Sequence, residues 1–415
     1  MILLRKMILI LVFVLFTLNL VYSIVPDRRK EQFTEEPAFY LVPFPYSYPG
    51  IGSGILLLAN ASNMFDTRVD ITGFLVTGEI KGQVIQLSDL FIIPDFLYIG
   101  GQVMDLNKIT FQNYEKRGMD TEKDEFNYIE ATELYSEEKV ATITLWERRF
   151  ELRYYEQEQR VTIPRIRDSD GNVIAELDEP YKETSRTQHL QATLDFTDDR
   201  QDPRMGIRLK LARRDQPRQS DYNPDYYTIN KTAEIYIPLG ELSTWAIHVL
   251  RSDAVVIDPG ATDDETLLKL LGLNCADSDE GCKETQTELL EQFRNQNKNG
   301  TSSSLGGLDR LRSYGSGRFQ GAHTEYYSTE LRLNITEEFT PFDYWIWSDT
   351  RTGVQLAMFY ETGTVAETEE DLWKDSRSSY GVGLRMVTGS GFVYRADVAT
   401  GDEGTVAALW FYYPW

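Results

Sequence analysis

Leu190-Gln191-Ala192-Thr193-Leu194-Asp195-Phe196-Thr197 alternates an apolar residue with a polar one along its whole length. A two-residue period is the repeat of a β-strand, whose successive side chains point to opposite faces. The same alternation returns in Ile207, Leu209 and Leu211 against Arg208 and Lys210, and in Tyr327, Leu331, Leu333 and Ile335 against Ser328, Glu330, Arg332 and Asn334. A charge on every second residue demands water along that face, while the other face is apolar enough to meet hydrocarbon. From about 38 to 415 the chain reads as such runs, each roughly ten residues long, the length that crosses a bilayer as a tilted strand. Residues 51–63 and 96–113 alternate poorly. The pattern predicts an all-β fold, an antiparallel transmembrane β-barrel of about 16 strands.

The connections alternate in length. Candidate tight turns fall at Met64-Phe65-Asp66, Pro94-Asp95, Glu147-Arg148, 199–203, Gly240-Glu241, 337–341 and 388–391, and longer polar connections lie between them at about 114–137, 162–187, 214–224, 256–322 and 364–376. Short turns at one rim and long loops at the other are the asymmetry of outer-membrane barrels. The final residues, Leu409-Trp410-Phe411-Tyr412-Tyr413-Pro414-Trp415, read as an aromatic strand that closes the sheet. Phe411, Tyr413 and Trp415 are expected at the membrane interface, and Pro414 is tolerable because it lies at a strand end.

Aromatic residues make up 12% of the chain, with 24 Tyr, 20 Phe and 7 Trp, while mean hydropathy is only -0.38. A barrel hides its apolar content in alternation, although a soluble all-β protein would show similar averages. The formal net charge of -23 repels nucleic acid and suits a polar lumen with hydrated outer loops. Arg5 and Lys6 precede the apolar run 7–16 and then Val21-Tyr22-Ser23, the order of a secretory signal peptide over 1–23. A signal-anchor helix is the competing reading, since the run extends loosely toward spanning length. Residues 24–37 then form a short periplasmic segment ahead of a barrel over 38–415. Cys275 and Cys282 lie close together in a polar segment, and an oxidising compartment favours one local disulfide between them. His189, His248 and His323 are far apart, without metal-ligand spacing, and no nucleophile elbow, phosphate loop or dinucleotide fingerprint occurs. No catalytic residue, metal or cofactor is expected. The expected partners are outer-membrane lipids, with other outer-membrane proteins or a periplasmic partner chain, and no nucleic acid.

The longest connection, 256–322, opens on an acidic stretch and a predicted helix at 264–273, holds a second helical stretch at 284–296, and passes through a flexible run at 297–304. It ends on Leu305-Gly306-Gly307-Leu308 and Leu311-Arg312-Ser313-Tyr314-Gly315-Ser316-Gly317-Arg318-Phe319-Gln320-Gly321, then enters the strand containing Glu330-Leu331-Arg332. Phe359-Tyr360-Glu361-Thr362-Gly363, Gly381-Val382-Gly383-Leu384-Arg385 and Tyr394-Arg395-Ala396-Asp397 follow; upstream lie the Asp-rich 195–206 and Tyr236-Ile237-Pro238-Leu239. In this order the segments resemble BamA/TamA-type barrels of the bacterial surface antigen family, most strongly from about 188 onward. The resemblance implies that the long loop folds back into the lumen. It also implies that the loop tip, Arg312-Ser313-Tyr314-Gly315, presents Arg312 to Glu361, with Glu330 as a second acid. A guanidinium in a narrow lumen needs a carboxylate; without the family pattern, Arg312 reads as a solvated loop residue. Two positions depart from the pattern: Ser313 stands where the family has glycine, and Glu361 where it has aspartate. Residues 24–37 also leave no room for the periplasmic polypeptide-transport domains of assembly and secretion members.

The resemblance implies a non-enzymatic barrel of the bacterial outer membrane that assembles or translocates other envelope components. It would do so through a weak seam between first and last strands, 38–46 and 405–415, where Pro43, Pro45 and Pro414 each delete a donor. The alternative is a passive or ligand-gated pore or binding barrel without insertase activity. A third reading, a barrel hydrolase, has only His189, His248 and His323 as candidate bases.

Overall fold

The computed structural model describes residues 25–33, 37–63, 67–114, 116–220, 222–271, 280–336, 341–344, 347–388 and 392–415. The first half of the chain supplies β1 (Ala38–Tyr48), β2 (Gly52–Ser62), β3 (Asp70–Gly78), β4 (Lys81–Ile93), β5 (Leu97–Tyr114), β6 (Phe126–Ala131), β7 (Glu133–Leu145), β8 (Phe150–Arg167) and β9 (Val173–Thr197). The second half supplies β10 (Gly206–Gln216), β11 (Asp225–Pro238), β12 (Ser243–Asp258), helices α1 (Asp264–Leu271) and α2 (Glu280–Asn299), β13 (His323–Asn334), β14 (Pro341–Tyr344), β15 (Trp347–Ala366), β16 (Arg377–Thr388), β17 (Val393–Gly401) and β18 (Gly404–Phe411). Both β6 and β7 pair with β5 and with β8, so they are one strand broken at Thr132. Both β13 and β14 pair with β15 and count as one in the same way. The sheet is therefore a closed antiparallel barrel of 16 strands.

Alternation sorts the two faces. Leu190, Leu194, Ile207, Leu209 and Leu211 are exposed on the outside, and Thr193, Asp195 and Arg208 are buried inside. At the rim where the chain enters, left-handed backbone makes the turns tight: Asp95 has φ 57°, and Trp146, Glu147 and Arg148 run consecutively at 54°, 51° and 57°.

Two of the expected long connections are instead strand. Residues 126–137 belong to β6 and β7, and the connection at 162–187 shrinks to 168–172, where the Asp168 N–H donates to the Asn172 carbonyl at 2.9 Å. Above the bilayer both faces of a hairpin are wet, so alternation vanishes while the backbone ladder continues. The expected turns at 64–66, most of 337–341 and most of 388–391, together with the leader 1–23, lie outside the described residues.

The inward face is not uniformly polar. Tyr40, Val42, Phe44, Tyr46, Leu56, Leu58, Leu106, Ile109 and Leu134 form one buried apolar cluster on the inside of the first strands, joined by Phe392 and Phe411. This explains the poor alternation of 51–63: β2 is apolar outside, at Ile55 and Leu57, and inside, at Leu56 and Leu58.

Candidate functional site

Arg312 is 1% exposed. Its backbone N–H and Nε donate to the two oxygens of Glu361, each at 2.8 Å, and Nη1 donates to Asp397 Oδ2 at 2.8 Å. Nη2 lies 3.6 Å from Glu330. The guanidinium lies over the Phe359 ring at 3.4 Å. Glu361 and Phe359 alternate with exposed Tyr360 and Met358, so β15 presents both to the inside. Glu330 also binds Arg332, at 2.6 Å, and Arg385, while Arg395 bridges Asp397 and the Leu308 carbonyl, both at 2.9 Å. Tyr326 donates to Glu361 at 2.9 Å.

The remaining tip residues pack around this group. The Ser313 N–H donates to the Ser379 hydroxyl at 3.2 Å, and Tyr314 is buried against Phe319. Gly315 comes so near the Tyr114 hydroxyl that a Cβ would stand 2.3 Å from it. The left-handed residue of the tip is Leu311, φ 49°, rather than Ser313. Replacing the family glycine with serine therefore forces no strain at that position.

Four buried arginines, 312, 332, 385 and 395, face three buried carboxylates, 330, 361 and 397. Arg395 also donates to a fourth carboxylate, Asp309, at 2.9 Å, and aromatic rings from the chain's last residues lie against Arg332 and Arg385. The Arg332 guanidinium lies 4.0 Å from the Tyr413 ring and 5.1 Å from Trp415, and Arg385 lies 5.2 Å from Tyr413, distances suited to cation–π attraction. The aromatic end thus turns inward instead of standing at a lipid interface. Tyr412 makes the turn at φ 62°. Phe411 is buried 5.7 Å from Phe44 and 5.9 Å from Phe74, and Trp415 stacks on His248 at 4.9 Å.

This inward turn leaves the seam short. β1 pairs with β2 through every residue from Ala38 to Tyr48 but with β18 only at Ser47–Leu409. Side chains add two tethers, Ser47 Oγ to the Ala407 carbonyl at 3.2 Å and the Tyr394 hydroxyl to the Pro45 carbonyl at 2.8 Å. Continued past Ser47–Leu409, that register would set Pro45 against Phe411 and Pro43 against Tyr413. Alternate residues of an antiparallel strand turn their backbone groups to opposite neighbours. With the β1–β2 ladder intact, the missing donors of both prolines therefore face the seam.

Sequence reading missed the N-terminal strap. Arg28 donates to Asp195 at 3.3 Å, Arg29 reaches Asp198 and Asp202, both at 3.3 Å, and Lys30 lies 3.5 Å from Asp199. Three consecutive bases and an Asp-rich turn were both visible, but only the fold brings them together. Burial opposes ionisation of Asp202, yet Arg204, Arg29 and the Tyr413 hydroxyl together hold its carboxyl below the ordinary range.

The three histidines lie apart: His189 stacks on Tyr155 in β8–β9, His248 on Trp415, and His323 Nδ1 is 2.9 Å from Asp253 at the outer rim. Cys275 lies outside the described residues; Cys282 falls in α2.

No family model matches the sequence, and no curated protein matches it. Solved structures do. BamA from Haemophilus ducreyi lacking POTRA domains 1-3 is 12% identical, with 90% of this chain and 70% of that chain covered at a TM-score of 0.49. CdiB from Escherichia coli is 11% identical, with coverage of 91% and 62% at a TM-score of 0.52. CdiB from Acinetobacter baumannii gives 10%, 91% and 60%, at 0.47. The chain's barrel is similar in fold to that of CdiB from Escherichia coli. At such identities the likeness is one of fold, and the chain spans less than two thirds of either CdiB chain. In the barrel's own terms, the tip of its longest loop binds an inward carboxylate of β15, and its first and last strands barely pair.

Proposed function

We propose that this barrel resides in the outer membrane and opens sideways at the β1–β18 seam to assemble or translocate other envelope proteins. The observation that carries the reading is the disparity between the seam edge of β1, paired only at Ser47–Leu409 with β18 and at Tyr40–Trp347 with β15, and an unbroken ladder next to it. Opening a barrel costs the ladder bonds that must break, each exposing groups that lipid cannot satisfy. Here the chain has already given up most of them. The passive-pore alternative has less support, because the loop-tip residue Arg312 is bound to inward Glu361 and Asp397 while Tyr413 and Trp415 lie against inward Arg332 and His248.

Controlled depletion, followed by quantitation of folded, heat-modifiable barrels in the outer membrane, tests the proposal. Loss of other barrels is expected, and Ser47→Cys with Leu409→Cys, oxidised to lock the seam, should reproduce it. An unchanged outer-membrane proteome in both cases would move the assignment to a binding or pore role.

A further inference from the structure

The Asp202 carboxylate lies in the β9–β10 turn, diametrically opposite the seam in strand order, and is 1% exposed. Its two oxygens serve different parts of the molecule. Oδ2 accepts from Arg29 of the N-terminal strap at 3.3 Å and from Arg204 at 3.4 Å. Oδ1 accepts from the Tyr413 hydroxyl at 2.6 Å and from Gln355 Nε2 at 3.0 Å. A carboxylate offers about four acceptor sites, and all are used. Segments from opposite ends of the sequence therefore meet on one buried charge.

The strap is seated along the rim and not merely pinned at one atom. The Arg29 N–H donates to the Asp198 carbonyl at 2.6 Å, Arg149 donates to the Pro26 carbonyl at 2.6 Å, and Phe33 packs against Phe91 at 5.6 Å and under Arg148 at 4.9 Å. From there the chain leads to β1, one side of the seam. Of the two donors to Oδ1, Gln355 lies on β15 and Tyr413 follows directly from β18, the other side of the seam.

We propose that Asp202 is a shared latch through which the N-terminal strap holds the chain's last residues inside the lumen, so that unseating the strap frees Tyr412–Trp415 and changes the seam. Without Arg29 the buried carboxylate loses a cation on Oδ2, and its proton affinity and geometry at Oδ1 change with it. Arg204 alone then holds Oδ2, so Oδ1 is less firmly placed for the Tyr413 hydroxyl, whose other acceptor is Gln355 Oε1 at 2.8 Å. Phe411 follows, because it is buried only while the chain turns inward behind it. The coupling concerns this chain's own segments and needs no client, so it stands or falls separately from the assembly reading.

Binding free energies couple reciprocally, which permits a test from either end. In the purified full chain, with Cys275 and Cys282 replaced by Ser, Pro414→Cys places a thiol at a buried lumen position, and a soluble maleimide reads its exposure. Neutralising the strap by Arg28→Gln, Arg29→Gln and Lys30→Gln should raise the labelling rate about tenfold, within the usual range of coupling between sites. An unchanged rate in a variant that retains a heat-modifiable barrel would overturn the latch. Should that variant fail to fold, Tyr413→Phe in the otherwise native chain gives the reciprocal reading: trypsin should cut at Arg28, Arg29 or Lys30 about tenfold faster. Unaltered cleavage there would equally overturn it.

Discussion

Arg312 carries more partners than a pairwise expectation supplies. The sequence pointed to Glu361 with Glu330 behind it, and the structure brings both to the guanidinium, Glu361 at 2.8 Å and Glu330 at 3.6 Å. Asp397 was not foreseen as a partner, nor were Arg332, Arg385 and Arg395 as members of one network. They lie on three strands, β13, β16 and β17, and only the pairing of the sheet brings these strands into reach of the loop tip. Removing one member of a buried ion group leaves the others uncompensated and costs roughly 3–5 kcal/mol. Arg312→Ala should therefore lower the unfolding free energy read from urea titration by an amount of that order. Glu361→Ala added to it should cost little more, because the carboxylate then removed is one already left without its cation. Additive losses in that cycle would show the two residues to be energetically independent, despite their contact.

At the scale of elements, the seam is set by two prolines. Pro43→Val with Pro45→Val restores the donors that β1 lacks toward β18, and the register from Ser47–Leu409 then allows pairing with Phe411 and Tyr413. Amide hydrogen exchange at Phe411 and Tyr413 should slow, and the barrel should become harder to open. Exchange as fast as in the parent would mean that the inward pull of the lumen, not the prolines, sets the seam. The sequence made most of the strands legible, since a lipid face and a wet face must alternate. It failed where that contrast disappears. The β8–β9 hairpin beyond the bilayer is wet on both sides, so 162–187 read as loop; β2 is apolar on both sides, so 51–63 read as irregular. The inward turn of the last residues was hidden for another reason. An aromatic strand end suits a membrane interface as well as it suits a cluster of buried arginines, and nothing local in Tyr413-Pro414-Trp415 chooses between them.

Taken as a whole, the molecule is a barrel whose interior is divided. A cavity of about 510 Å³ lies among Tyr40, Gln86, Glu138, Arg153, Arg208 and Tyr413, and a second of about 210 Å³ among Asn230, Thr232, His248 and Arg310. Gln191, Lys210 and Trp415 line both, so the chain's last residue forms part of the partition. The loop tip closes off more of the interior, with Leu305, Leu311, Tyr314 and Phe319 almost wholly buried. A lumen filled in this way should not conduct. In planar bilayers the intact protein should show only brief, low-conductance events, whereas truncation after Phe411 should join the two cavities and raise the open probability. Shortening the chain there removes no atom of the Arg312–Glu361 contact but uncovers Arg332 and Arg385, so retained heat-modifiability of the truncated barrel is the control that assigns a change in conductance to the partition. Steady, large conductance from the intact chain would mean that the inward-turned end is not what closes the barrel, and would favour a pore over a barrel that works through its wall.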